Sequence, residues 1–130
     1  MIANGTDENE PMLITADRQT AGRGRQGKSF YSPAGTGIYM SLVLHPNADL
    51  QNAVTATTAA SVAVCKAIER LTDIKPKIKW VNDVYVNGQK ICGILTEAVS
   101  DFESGTVTSV IIGIGINLSL IHISEPTRLR

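Results

Sequence analysis

Two polar clusters in this 130-residue chain have the composition of an anion-handling site. The first, residues 22–29, reads GRGRQGKS and sets Gly22, Gly24 and Gly27 among Arg23, Arg25 and Lys28. It satisfies both G-x-G-x-x-G, a dinucleotide fingerprint, and G-x-x-x-x-G-K-S, a nucleoside triphosphate loop. Each of those motifs works by opening directly into a helix whose N-terminal amides meet the phosphate. Here FYSPAGTGIYMSLVL follows, with Pro33, Gly35 and Gly37 and then strand alternation, so neither motif stands in its working context. What survives is the local chemistry. Glycines free backbone amides to point one way between guanidinium groups, an arrangement suited to a phosphate or acyl phosphate. The plain alternative is a solvated basic loop. A nucleic-acid arginine-glycine segment fits poorly, because such segments are long and repeated and this one is single.

The second cluster lies in KWVNDVYVNGQKICGIL, residues 79–95. Asn87-Gly88 is a strong hairpin signal, because both residues tolerate the positive φ of a type I′ turn. Trp80, Asn82 and Asp83 precede the hairpin at a bend, and Lys90 and Gly93 follow on its return arm. Taken singly they read as core, turn and solvated strand. Their pairing with the glycine-arginine loop makes them candidates for one site.

The elements that must position these groups follow from periodicity. Met12–Ala16 and Gly37–Leu44 read as strands on either side of the long glycine-rich loop. Positions 50, 53, 54, 57, 61, 64, 68 and 71 recur at helical spacing, with Asn47 or Asp49 as N-cap. Strands are expected at 77–80, 84–86, 89–95 and 106–114. The fold class is therefore α+β, a mixed, largely antiparallel sheet covered by helices.

Composition narrows the function. Apolar residues make up 43% and charged residues 18%, a globular balance. Twelve basic and twelve acidic residues cancel, so no global field holds DNA or an anionic membrane, and any anion site is a local cluster. The start, MIANGTDENEP, has neither the basic nor the apolar part of a signal peptide, and the apolar run at 110–116 is too short to span a bilayer. A cytoplasmic protein is expected. Cys65 and Cys92 lie apart without a histidine cluster, and read as small buried residues.

Taken in order, AGRGRQGKSFYSP, KWVNDVYVNGQKICGIL and IIGIGINL resemble the catalytic domain of biotin protein ligases across residues 12–117. The resemblance implies a reaction in two steps: biotin and ATP give biotinyl-5′-AMP and pyrophosphate, and biotin then passes to a lysine of a carboxylase biotin carrier domain. It implies that Gln19 reads the biotin head group and that Arg23 and Arg25 close over the adenylate. Lys90 would grip the biotin carboxylate and α-phosphate, while Gly22, Gly24 and Gly27 form the loop and Gly93 admits the ligand to the strand. Asn82, Asn117 and Phe30 would lie near the adenine, and Asp83 would orient the acceptor lysine. The catalytic set is then Lys90, Arg25 and Asp83, with Mg²⁺ on the nucleotide, no protein metal ligand and no nucleic-acid or membrane partner. One departure is Val81, where the family usually has proline. Lipoate ligases and octanoyltransferases of the same fold are the nearest alternative, and a ligand-binding fragment without turnover is another.

Residues 1–117 are thus expected to be part of a ligase catalytic domain. Residues 118–128, LSLIHISEPTR, resemble a translated sequencing adapter and are read with 129–130 as a non-native tail, so His122 and Glu125 are not site candidates. The family's Ser-Thr-Asn segment has no counterpart before residue 12. These features predict a chain with little ligase activity by itself, and an apolar strand at 107–116 exposed as a sheet edge.

Overall fold

The computed structural model describes residues 10–23, 36–45, 50–79 and 82–119, with side chains of the helix from Thr55 onward. Six strands and one helix occur in the order β1 (Met12–Ala16), β2 (Gly37–Leu44), α1 (Leu50–Leu71), β3 (Lys77–Lys79), β4 (Asp83–Val86), β5 (Gln89–Ser100) and β6 (Val107–Asn117). They form one sheet, β1-β2-β6-β5-β4-β3, and every pairing in it is antiparallel. The expected class holds, with α1 as the single described helix. Gln89–Ser100 and Val107–Asn117 run beyond their predicted ends because each supplies the other's ladder, from Cys92↔Ile116 to Ser100↔Val107. Strand pairing there overrides the low β-propensity of Glu97 and Ala98.

The expected edge at 107–116 is not an edge. β6 lies inside the sheet, paired with β2 on one side and β5 on the other, and among the described strands the edges are β1 and β3. Its run of valine and isoleucine marks a strand buried in the centre, as near-continuous apolar runs do.

One face of the sheet is closed by α1. The helix turns Thr57, Ser61, Val64, Cys65 and Ile68 inward, onto Val84, Val86, Ile94, Val110, Ile112 and Ile116 of the strands. Each fully buried aliphatic side chain of this kind contributes roughly 1.5–3 kcal/mol. The predicted stripe ends differently: Leu71 is 77% exposed, and Thr72 is buried in its place. Thr72 closes the helix, its N–H and its hydroxyl both donating to the Ile68 carbonyl at 2.9 and 2.8 Å. Asn47 and Asp49 lie outside the described residues.

The β4–β5 hairpin turns on Asn87 and Gly88 at φ 51° and 79°, the positive pair that a type I′ turn requires. Beyond it the register slips: Tyr85 faces Lys90, but Val84 faces Cys92, so Ile91 is an extra residue in a β-bulge. Two neighbours, Ile91 and Cys92, are both buried, sharing the doubled position of the bulge.

Candidate functional site

The face of the sheet opposite α1 holds a cavity of about 150 Å³. Three glycines of its two central strands lie in its floor, beside Ser41, Leu95 and Ile111. Gly93 of β5 faces Gly115 of β6, and Gly113 lies between Leu95 and Ser41, so adjoining positions on central strands lack side chains. A Cβ added at Gly113 would meet nothing nearer than the Leu95 carbonyl, at 3.5 Å, an ordinary contact. Protein packing does not demand glycine there, whereas a flat ligand lying on the strands would.

Charged groups stand around this floor. Lys90 reaches it because of the bulge: strand alternation alone would put residues three apart on opposite faces, and the extra residue returns Lys90 to the side of Gly93. Its Nζ lies 3.4 Å from Asp83 Oδ1, and the Asp83 side chain is only 15% exposed. Arg23 and Gln19 come from the segment after β1, and the Arg23 guanidinium donates to Glu97 Oε1 at 2.5 Å. Among the described residues, the cavity thus presents two cations, each beside a carboxylate.

The sequence candidates therefore separate. Gln19, Arg23, Asp83, Lys90 and Gly93 line one cavity, as the two-cluster reading expects. Gly22 is half-buried beside Arg23 and is not among the lining residues. Asn82 is buried beneath the site rather than lining it, its Nδ2 donating to the Ile94 carbonyl at 2.6 Å and its backbone carbonyl accepting from Ser61 at 3.4 Å. The Asn82 Oδ1 has no hydrogen-bond partner among the described residues. Asn117 ends β6, where its Oδ1 accepts from Ser119 at 2.7 Å, away from the cavity lining. Gly24, Arg25, Gly27, Phe30, Trp80 and Val81 lie outside the described residues.

Glu97, Ser41, Leu95 and the glycines of β6 were not foreseen as lining. Period-two counting from Gly93 finds Leu95 and Glu97, but only the strand order reveals that β6 and β2 continue the same floor. Neither cysteine offers a nucleophile. Burial pushes the Cys92 thiol up to about 12, with the neighbouring Cys65 and Asp83 adding to the effect and Lys90 opposing it. The Cys65 thiol is also raised, by burial and then by Glu69.

Among the described residues, a sheet backed by one helix thus carries cations beside a glycine-containing cavity on its opposite face. The chain belongs to the biotin/lipoate A/B protein ligase family, whose model matches residues 3–117. It is 49% identical over 121 residues to the bifunctional ligase/repressor BirA of Bacillus spizizenii, covering 93% of this chain and 37% of that protein. To the biotin--[acetyl-CoA-carboxylase] ligase of Paracoccus denitrificans it is 37% identical, covering 82% of this chain and 44% of the relative. Its fold matches the biotin protein ligase from Aquifex aeolicus in complex with biotin and ATP at TM-score 0.68 and 35% identity, over 90% of this chain and 44% of that one. The chain thus spans less than half the length of each of these relatives.

Proposed function

We propose that the protein is an ATP-dependent biotin protein ligase, joining biotin to ATP as biotinyl-5′-AMP and passing the biotinyl group to a lysine of a carboxylase biotin carrier domain. The observation that carries the proposal is the placement of Lys90 and Arg23 around a floor of Gly93, Gly113 and Gly115. In the first step a carboxylate oxygen attacks the α-phosphorus and pyrophosphate leaves. Two anions approach each other, so fixed cations lower the barrier where charge gathers.

Lys90 is assigned to the carboxylate and α-phosphate, Arg23 and Arg25 to the adenylate, and Gln19 to the biotin head group. Gly22, Gly24 and Gly27 let the loop approach the ligand. Phe30, Asn82 and Asn117 are assigned to the adenine side. Asp83 is assigned to the acceptor amine, which attacks the biotinyl carbonyl as AMP departs. Mg²⁺ would travel on the nucleotide phosphates; no group of three or more His, Cys, Asp or Glu among the described residues is arranged to hold a metal. The relatives named as biotin ligases favour biotin over lipoate. A cytoplasmic location accords with this reading, and no described helix is long and apolar enough to cross a membrane.

The test is pyrophosphate release by the full-length protein with ATP and either biotin or lipoate. Biotin-dependent release is expected, falling by on the order of a hundredfold in Lys90→Ala as one preorganised charge is lost. Release driven by lipoate alone, or an unchanged rate in Lys90→Ala, would overturn the assignment.

A further inference from the structure

We infer that Lys77 and Lys79, on the outer strand β3, form the docking surface for an acidic protein partner, the carrier domain whose lysine accepts the acyl group. The inference rests on the function proposed above for the identity of that partner. Register places both lysines on the cavity side of the sheet. Lys79 faces Asp83, Lys77 faces Tyr85, and Tyr85 faces Lys90, and residues directly opposite in an antiparallel pair share a face. Asp83 and Lys90 line the cavity, so the two lysines continue its face outward to the edge of the sheet. Ile78, between them, faces the buried Val84 on the helix side.

All three residues of β3 are exposed, and neither lysine is ion-paired among the described residues. Lys75, two positions earlier, lies 3.9 Å from Glu69. The Lys79 ammonium instead stands 5.1 Å over the centre of the Tyr85 ring, a contact that steadies the cation without neutralising it. A small ligand filling the cavity does not reach these lysines, since neither lines it. A bulky second substrate does. An acceptor amine arriving at Asp83 carries its own protein surface across Lys79, the ladder partner of Asp83, and then across Lys77, about 7 Å further along the strand. The chain has no net formal charge, so attraction depends on a local strip such as this one, and the strip calls for carboxylates on the partner. The contact is through side chains, because a charged edge resists strand addition.

The test follows stopped-flow association of the full-length protein with a biotin carrier domain of net negative charge. It compares the parent with two double variants, Lys77→Gln with Lys79→Gln and Lys77→Arg with Lys79→Arg. The glutamine variant should associate roughly tenfold more slowly at low salt and lose most of the parent's salt dependence, while the arginine variant matches the parent. Affinity for ATP and for a non-hydrolysable sulfamoyl analogue of biotinyl-5′-AMP should be the same in all three, because those ligands occupy the cavity itself. Equal association of the parent and the glutamine variant overturns the inference. So does a loss of ATP affinity in the glutamine variant, which would place the nucleotide's phosphates on the strip. If the carrier defect appears but no form binds the analogue, the docking surface stands and the biotin reading falls.

Discussion

Cys92 lies two positions from Lys90 and one from Gly93, yet its chemistry is silent, because burial holds its proton to a pH of about 12. This carries a stability cost in alkali. The unfolded thiol ionises near its ordinary value while the folded one does not, so the folded state holds more protons between those values and stability falls as pH rises through that window. Cys92→Ala should flatten the alkaline loss by up to about 1.4 kcal/mol per pH unit, read from urea unfolding at a series of pH values. A steeper loss in the variant would contradict the assigned cause. Gly113 makes the complementary case: with only an ordinary contact awaiting a Cβ, Gly113→Ala should keep the parental melting temperature while weakening the adenylate analogue severalfold. A large fall in melting temperature would show that packing fixes the glycine. Residue types disclosed the cations of this site, because Arg23 and Lys90 stand beside glycines and a turn. They did not disclose Glu97, whose ion-pair partner Arg23 lies 74 positions away.

At the scale of elements, the hairpin between β4 and β5 sets where Lys90 and Asp83 stand at the cavity. Gly88 sits at φ 79° with open space around it, so a side chain there is opposed by backbone conformation alone. Gly88→Ala should cost about 1–2 kcal/mol, measured by chemical denaturation, and a neutral result would mean that the turn can change type freely. Most elements were legible because their signals are local: Asn87-Gly88 names its turn, and Thr57, Ser61, Val64 and Ile68 name the inner face of α1. The extra length of β5 and the central place of β6 were not legible. Both follow from pairing between distant segments, and β2 with β6 in particular joins residues that no short pattern relates. Gly37 shows how tight that joint is, since a Cβ there would lie 2.6 Å from the Ile116 carbonyl.

Across the whole molecule, the two outer strands of the described sheet differ in character. β3 carries Lys77 and Lys79 about an exposed Ile78, with Lys79 also over the Tyr85 ring at 5.1 Å, and charged edges resist further strand addition. β1 instead exposes Leu13 at 60% and Ile14 at 45%. Association of the chain at high concentration should therefore run through β1, and Leu13→Lys should suppress it, whereas Ile78→Lys should change it little, as followed by light scattering. Equal suppression by both would point away from β1.

The bulge at Ile91 bears on how experiments at the neighbouring lysine are designed. If residues 90–93 ran in regular alternation instead of through the bulge, and with Gly93 kept in place, the Lys90 ammonium would turn toward Val84 and Val86 under the helix, an environment that rejects an unpaired charge. The lysine is thus a register mark as well as a cation of the cavity, and its hydration preference favours the hairpin in this frame. Replacement by leucine removes that preference and permits the strand to slide, so lost activity would confound missing charge with a misaligned floor. Glutamine, which stays polar, separates the two.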